Sequence, residues 1–223
     1  MPIFKKIYFQ ENNSNFSEHL NFFHDHIIII SILIIIFIFY WTLQAKIKSI
    51  FHFKNQENNI IEIFWTVYPI IILLFAAIPS MIILFISEEE RNRNLNLKVL
   101  GNQWYWEYEI YRKRKKIKWQ SYITKSKTFR NLITSNLIIL PFNTKINTLI
   151  SSYDVIHSWR VPSLGKKCDA IPGRINIINI LIKKPSIISG QCSEICGANH
   201  RFIPIFIKSL STKKFNEIMS LKS

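Results

Sequence analysis

The residues best equipped for chemistry lie near the C-terminus. In "GQCSEICGANH", residues 190–200, Cys192, Cys196 and His200 follow one another at four-residue intervals, and the chain holds one other cysteine, Cys168. A fourth candidate, His157 in "DVIHSWRVPS", stands at the end of an earlier strand pattern. Two thiols and two imidazoles admit three chemistries. A disulfide between Cys192 and Cys196 suits an oxidising compartment. Tetrahedral zinc takes the same donors, although the spacing departs from the usual zinc pattern. Copper electron transfer also fits, because soft thiolates with imidazoles on the pole of a β-sandwich suit copper. Spacing alone leaves all three open.

Those residues need a scaffold, and hydropathy divides the chain in two. The run "IIIISILIIIFIFYWTL", Ile27–Leu43, carries no charge. At about 1.5 Å per residue it is long enough to cross a ~30 Å hydrocarbon layer, with Tyr40 and Trp41 placed as interfacial anchors. A secretory signal core is the competing reading, but "HDH" at 24–26 precedes the run, the run is too long, and no small-residue cleavage site follows. A second charge-free run, "IFWTVYPIIILLFAAIPSMIILFI", spans Ile63–Ile86. Its Pro69 and Pro79 are tolerated in a membrane, where neighbouring helices satisfy the freed carbonyls. The short connection Ala45–Glu62 makes the pair a hairpin. It carries Lys46, Lys48 and Lys54 against Glu57 and Glu62, which puts it on the cytoplasm-like side and the rest of the chain opposite.

Beyond the charged linker "SEEERNRN", 87–94, the pattern turns to short β-rich runs: "NLKVLG", "QWYWEYEIY", "IKWQSYI", "NLIIL", "KINTLISS", "RINIINILI" and "FIPIFIKSL". Their spacing predicts a Greek-key sandwich or barrel. "KSKTFRNLITSN", 125–136, reads as a loop, and "STKKFNEIMSLK" as a closing helix with Ser211 or Thr212 as N-cap. There is no internal repeat. A length of 223 residues allows one ordinary domain and something smaller. The 29 Lys and Arg against 14 Asp and Glu, a net +15, suggest an anionic partner, but two membrane spans set nucleic acid aside in favour of membrane lipid.

Several motifs, in order, then carry a family resemblance. "FFHDH", "IEIFWTVYP", "AAIPS", "GNQWYWEYE", "DVIHSWRVPSLG", "DAIPGRIN" and "GQCSEICGANH" followed by "FIP" make the chain resemble the subunit II family of the mitochondrial haem–copper cytochrome c oxidases, from residue 22 to Lys208. The resemblance implies an α+β membrane protein. Residues 1–26 form an N-terminal intermembrane-space segment, 27–90 a two-helix transmembrane hairpin, and 95–223 a cupredoxin-like Greek-key domain with a short C-terminal helix. It further implies a multi-pass protein of the mitochondrial inner membrane with its copper domain in the intermembrane space. That domain would hold a dinuclear copper A centre that takes electrons from cytochrome c and passes them to haem a of subunit 1, where oxygen is reduced with proton pumping. Other oxidase subunits are implied partners.

Residue by residue, the resemblance makes Cys192 and Cys196 bridging thiolates and His157 and His200 the capping ligands. The Glu194 carbonyl is a further ligand, and the Glu194 side chain faces a magnesium ion shared with subunit 1. Trp104, with Tyr105, takes the electron from the docked cytochrome, whereas Trp106 and Tyr108 read as packed aromatics of the sandwich. Glu62 corresponds to a carboxylate at the mouth of a proton path, a position that a carboxylate snorkelling at a helix end explains as well.

Three features depart from the family pattern. Ile203 stands where the family has an axial methionine, and isoleucine cannot ligate. Either the site is retuned, or a mitochondrial code that reads AUA as methionine has been translated with the standard table. The chain has only three methionines beside its isoleucine excess, which motivates the second idea. The basic run "YRKRKKIK", 111–118, follows the tryptophans and leaves Glu107, Glu109, Asp154 and Asp169 as candidate acids for a basic partner. Weak salt dependence of association is the expectation. Cys168 has no ligand role in the family; it reads as a packed residue, or as a mixed-disulfide partner in the metal-free protein. A copper-free scaffold subunit and a membrane-tethered metal carrier are the competing functions. The four side-chain ligands speak against the first and "QWYW" against the second.

Overall fold

The computed structural model describes residues 9–48, 58–88, 95–112, 115–126 and 130–221. Lys54, Glu57, residues 89–94, Lys113 and Arg114, on which parts of the loop, linker and basic-run readings rest, lie outside these. The chain separates into two packing units. One is helical, His19–Ile86, and the other comprises Met1–Glu18 and Ser87–Ser223.

In the helical unit, α1 runs Asn15–Lys48 and α2 runs Asn59–Glu88. The first helix therefore starts ahead of the apolar run at Ile27. Asn58 opens α2 as its N-cap, its Oδ1 accepting from the Ile60 amide at 3.1 Å. Pro69 and Pro79 both lie inside α2. Apolar side chains such as Ile35, Phe39, Leu73 and Phe85 are exposed along the two helices. Surfaces of that kind are stable in hydrocarbon. Embedded hydroxyls are satisfied locally, with Ser31 Oγ donating to the Ile27 carbonyl at 2.8 Å and Thr66 Oγ1 to the Glu62 carbonyl at 2.8 Å.

The other unit is a sandwich of two five-stranded sheets. Its strands are β1 Leu95–Asn102, β2 Tyr105–Arg112, β3 Lys115–Ser121, β4 Ile138–Pro141, β5 Lys145–Ser152, β6 His157–Val161, β7 Lys166–Ala170, β8 Asn176–Leu181, β9 Ile187–Cys192 and β10 Pro204–Leu210. One sheet has the order β3-β2-β1-β5-β8 and the other β4-β10-β9-β6-β7. The β1–β5 and β4–β10 pairs are parallel and the remainder antiparallel. Alternation delivers Leu97, Val99, Trp106, Tyr108 and Ile110 from one sheet and Leu140, Trp159, Val161, Ile205 and Ile207 from the other into a shared core. Helix α3, Thr212–Leu221, closes the unit with Phe215 and Met219 buried; Ser211 is its cap, with Oγ accepting from the Lys214 amide at 3.4 Å.

Strands β6, β7 and β9 were not among the seven predicted from sequence. "HSWRV", "KKCDA" and "IISGQC" mix charge, glycine and hydroxyls, so no apolar alternation marks them; pairing with neighbours makes them strands.

The segment before α1 is part of the sandwich unit. The Asn13 amide donates to the Ser163 carbonyl at 2.8 Å and its carbonyl accepts from Lys183 N at 2.9 Å. The Asn13 side chain accepts from Lys184 N at 2.9 Å and donates to Ser186 Oγ. Ser14 caps α1 through Ser17 N at 3.0 Å while donating to the Leu164 carbonyl at 2.9 Å.

Candidate metal centre

Two adjacent strands and the loop after one of them build the centre. His157 is the first residue of β6 and Cys192 the last of β9, antiparallel partners through Trp159↔Cys192. The loop after β9 carries Glu194 and Cys196, and a short 3₁₀ turn, His200–Phe202, presents His200. Because a strand end and a following loop share one pole, residues 35 apart in sequence meet, with Cys192 Sγ 4.0 Å from His157 Nδ1. Cys196 Sγ lies 3.5 Å from His200 Nδ1. The ligand atoms of His157, Cys192 and Cys196 all fall within 4.8 Å of one another, and all three residues are buried. The Glu194 carbonyl accepts from Cys192 Sγ at 3.5 Å, and its side chain is half-buried. All three cysteines are free thiols.

The surroundings hold these donors in place. His157 is fully buried, its ring edge-on to Trp106 at 5.8 Å between centroids. Gly101 on β1 leaves the space: a Cβ there would come within 2.7 Å of His157 Cδ2. On the far side of the ring, His157 Nε2 donates to Asp154 Oδ1 at 2.8 Å, which leaves Nδ1 with its lone pair toward the thiols. Ile203 is buried, and its carbonyl accepts from the Cys192 amide at 3.0 Å.

Burial opposes charge on His157, but the neighbouring Cys192 sulfur and the Asp154 carboxylate outweigh it and raise the imidazole pKa. Burial likewise raises Cys192, yet hydrogen bonding to His157 and to backbone at Glu194 and Ser158 brings that thiol below its ordinary value. Burial and the adjacent Cys192 thiolate push Cys196 up. The two neighbouring thiols are thus shifted in opposite directions, Cys192 down and Cys196 up.

Trp104 is half-buried, its indole against the thiol loop: a Cβ on Gly197 would lie 3.3 Å from Trp104 Nε1. Gly197 has φ of +118°, a region left to glycine. The Tyr105 ring lies 4.5 Å from that of Tyr122, tilted by 30°, whereas Trp106 and Tyr108 are fully buried, as their reading as packed aromatics requires. Glu62 lies exposed on α2 in the helical unit.

Of the candidate partner-facing acids, Glu107 and Glu109 are corrected. Their side chains are 3% and 1% exposed, closed over by Lys118 at 2.8 Å and by Lys116 at 2.7 Å. Both are consumed inside the sheet face. Asp169 is exposed. Cys168 sits on β7 opposite Trp159, two strands from Cys192. Strand spacing puts the backbones about 10 Å apart, outside disulfide reach. Sequence reasoning passed over Gly101 and Gln103, and weighed Asp154 only as a surface acid. A glycine inside the strand pattern "NLKVLG" was the available signal for the first.

Comparison with known proteins adds to this geometry. The family described as cytochrome c oxidase subunit II, periplasmic domain, matches residues 95–210, and its transmembrane domain matches residues 2–83. Cytochrome c oxidase subunit 2 of Choristoneura rosaceana is 44% identical over 211 residues, 92% of each chain. The subunit 2 of Acheta domesticus is 42% identical over 224 residues, 96% of each. The crystal structure of the periplasmic domain of subunit II of cytochrome oxidase from Bradyrhizobium japonicum is 36% identical, covering 59% of this chain and 94% of that one, with a TM-score of 0.56.

Proposed function

This chain belongs to the cytochrome c oxidase subunit II family, a component of an oxidoreductase complex, and from that premise we propose that it is the electron-input subunit, with a dinuclear copper A centre at the sandwich pole. One observation carries the reading: two thiols and an imidazole converge within 4.8 Å in a buried pocket, with a second imidazole 3.5 Å from one sulfur. The donor set is soft sulfur and nitrogen with no side-chain carboxylate in it, which suits copper and is a poor match for hard cations.

Cys192 and Cys196, His157 and His200 through their Nδ1 atoms, and the Glu194 carbonyl would hold the metal pair. When bound, the metal pair supplies a one-electron carrier whose charge is shared over two nuclei, so little rearranges on reduction. The chain's own part is to exclude water by burying Cys192, Cys196 and His157, to hold the Nδ1 lone pair of His157 inward through Asp154, and to press Trp104 against the thiol loop. Trp104, flanked by Tyr105, would receive the electron from cytochrome c, and haem a of subunit 1 would take it onward for oxygen reduction coupled to proton pumping. The Glu194 side chain would serve a magnesium ion shared with subunit 1, and Glu62 the mouth of a proton path. The compartment follows from the same reading: the mitochondrial inner membrane, with α1 and α2 spanning it and the sandwich in the intermembrane space.

Elemental analysis with electron paramagnetic resonance on the purified chain tests this. Two coppers per chain with hyperfine splitting from both nuclei is the expected result, and Cys196→Ser should abolish the shared-valence signal. Zinc, or a Cys192–Cys196 disulfide in place of copper, would sink the reading. Mass spectrometry of the peptide around His200 decides Ile203: a methionine mass there shows a code-translation error, and an isoleucine mass shows a retuned centre.

A further inference from the structure

We propose that Asp154 is the positioning residue of the metal centre, a single carboxylate that sets both the ring of His157 and the backbone carrying Trp104. The inference rests on the copper reading above and deepens it. Asp154 Oδ1 accepts from His157 Nε2 at 2.8 Å, and Oδ2 accepts from the Gln103 amide at 2.6 Å. The carboxylate is itself held: Oδ1 also accepts from the Val155 amide at 2.6 Å. Three donors divided over both oxygens oppose rotation away from either client.

Each client leads to the thiols. Through His157 the carboxylate keeps the proton on Nε2, orients Nδ1 toward Cys192 and makes the ligating nitrogen more basic, as carboxylate partners of metal-ligating histidines do. Through Gln103 it fixes the start of the tryptophan turn, whose side chain closes the other side: Gln103 Nε2 donates to the Cys196 carbonyl at 2.9 Å. Trp104 then lies beside the next residue, Gly197, where an added Cβ would come within 3.3 Å of its Nε1. The inner ligand and the outer aromatic are therefore registered by one side chain. Asp154 is still 31% exposed on its side chain, so the alternative role is that of a surface acid for a basic partner.

The test uses the full chain in detergent micelles, metal-free and copper-loaded, with the variants Asp154→Ala, Asp154→Asn and Gln103→Ala, each checked for an unchanged thermal midpoint. Asp154→Ala should lose copper affinity by about 10- to 100-fold in chelator competition, the range usual for such outer partners, and alter the hyperfine pattern. Asp154→Asn keeps an oxygen for His157 but turns an amide N–H toward the Gln103 N–H. It should retain most of the affinity and slow electron uptake from a flash-photolysed ruthenium donor. Combining it with Trp104→Phe should then add nothing further, because both changes act on one route. Gln103→Ala should slow uptake with affinity unchanged.

A purely partner-facing acid moves none of these readouts: wild-type affinity and spectrum in Asp154→Ala overturn the proposal, as does Asp154→Asn slowing uptake equally with and without Trp104. Nitrogen NMR of the metal-free chain gives a result independent of copper. His157 should carry its proton on Nε2, and Asp154→Ala should release a tautomer mixture; an unchanged tautomer overturns the proposal. If the wild-type chain takes up no copper, the function reading fails and the NMR result still decides this one.

Discussion

A pair of carboxylates and a single one flank the same tryptophan turn and are used in opposite ways. On the face of β1–β2–β3, Glu109 is gripped by Lys116 at 2.7 Å and approached by Lys98 at 3.7 Å, and Glu107 meets Lys118 at 2.8 Å and Gln120 Nε2 at 3.3 Å. These acids tie three strands together and show a partner only the lysines above them. At the pole, Asp154 accepts from backbone amides and an imidazole and so organises a site. The identity of the acid matters less than what its neighbours donate. Lysines yield a closed sheet face with three cations over two acids, whereas fixed N–H groups hold a carboxylate in one orientation.

That contrast can be broken experimentally. The largest effect should come from Gly101→Ala, which puts a methyl within 2.7 Å of the His157 ring. With backbone on one side and the thiols on the other, the ring must move. Copper content measured by elemental analysis should collapse, with the sheet face intact. Next, Glu109→Gln removes the charge gripped by Lys116 and Lys98 and should lower the thermal midpoint by a few degrees in calorimetry, leaving copper content and hyperfine pattern unchanged. A joint fall in stability and copper would show that the two regions are one.

A smaller effect concerns partners. Because Glu107 and Glu109 are internally paired, the rate of association with a basic cytochrome c in stopped flow should change little between low and moderate salt. A steep fall would mean that other acids, Asp169 among them, steer the encounter. The smallest change sets the baseline: Ser211→Ala removes the α3 cap and should cost about 1 kcal/mol in denaturant unfolding, with no effect on either region.

Copper uptake should also strengthen as pH rises through neutrality. Cys196 holds its proton above the ordinary thiol range, so metal binding must displace it, and acid favours the proton. Isothermal titration in buffers of different ionisation heat counts the protons released.

The amino-acid sequence by itself determined the elements whose cause is local. Ile27–Leu43 and Ile63–Ile86 are predominantly apolar and free of charge, and they lie within α1 and α2. Runs with β-branched alternation such as "KINTLISS" became strands, and Cys192, Cys196, His157 and His200 were legible as candidate metal donors from residue type and motif. Tertiary structure alone decided the rest. "KKCDA" is a strand because β6 offers it a ladder, Glu109 is hidden because Lys116 and Lys98 reach it from neighbouring strands, and Gly101 matters because His157 fills the place of its missing side chain. Asp154 reads as one more surface acid until β1 and the turn before β6 set it between Gln103 and His157. Hydropathy and donor chemistry belong to each residue and its near neighbours, whereas register, burial and hydrogen-bond partners belong to pairs distant in sequence, which only the closed sandwich brings together.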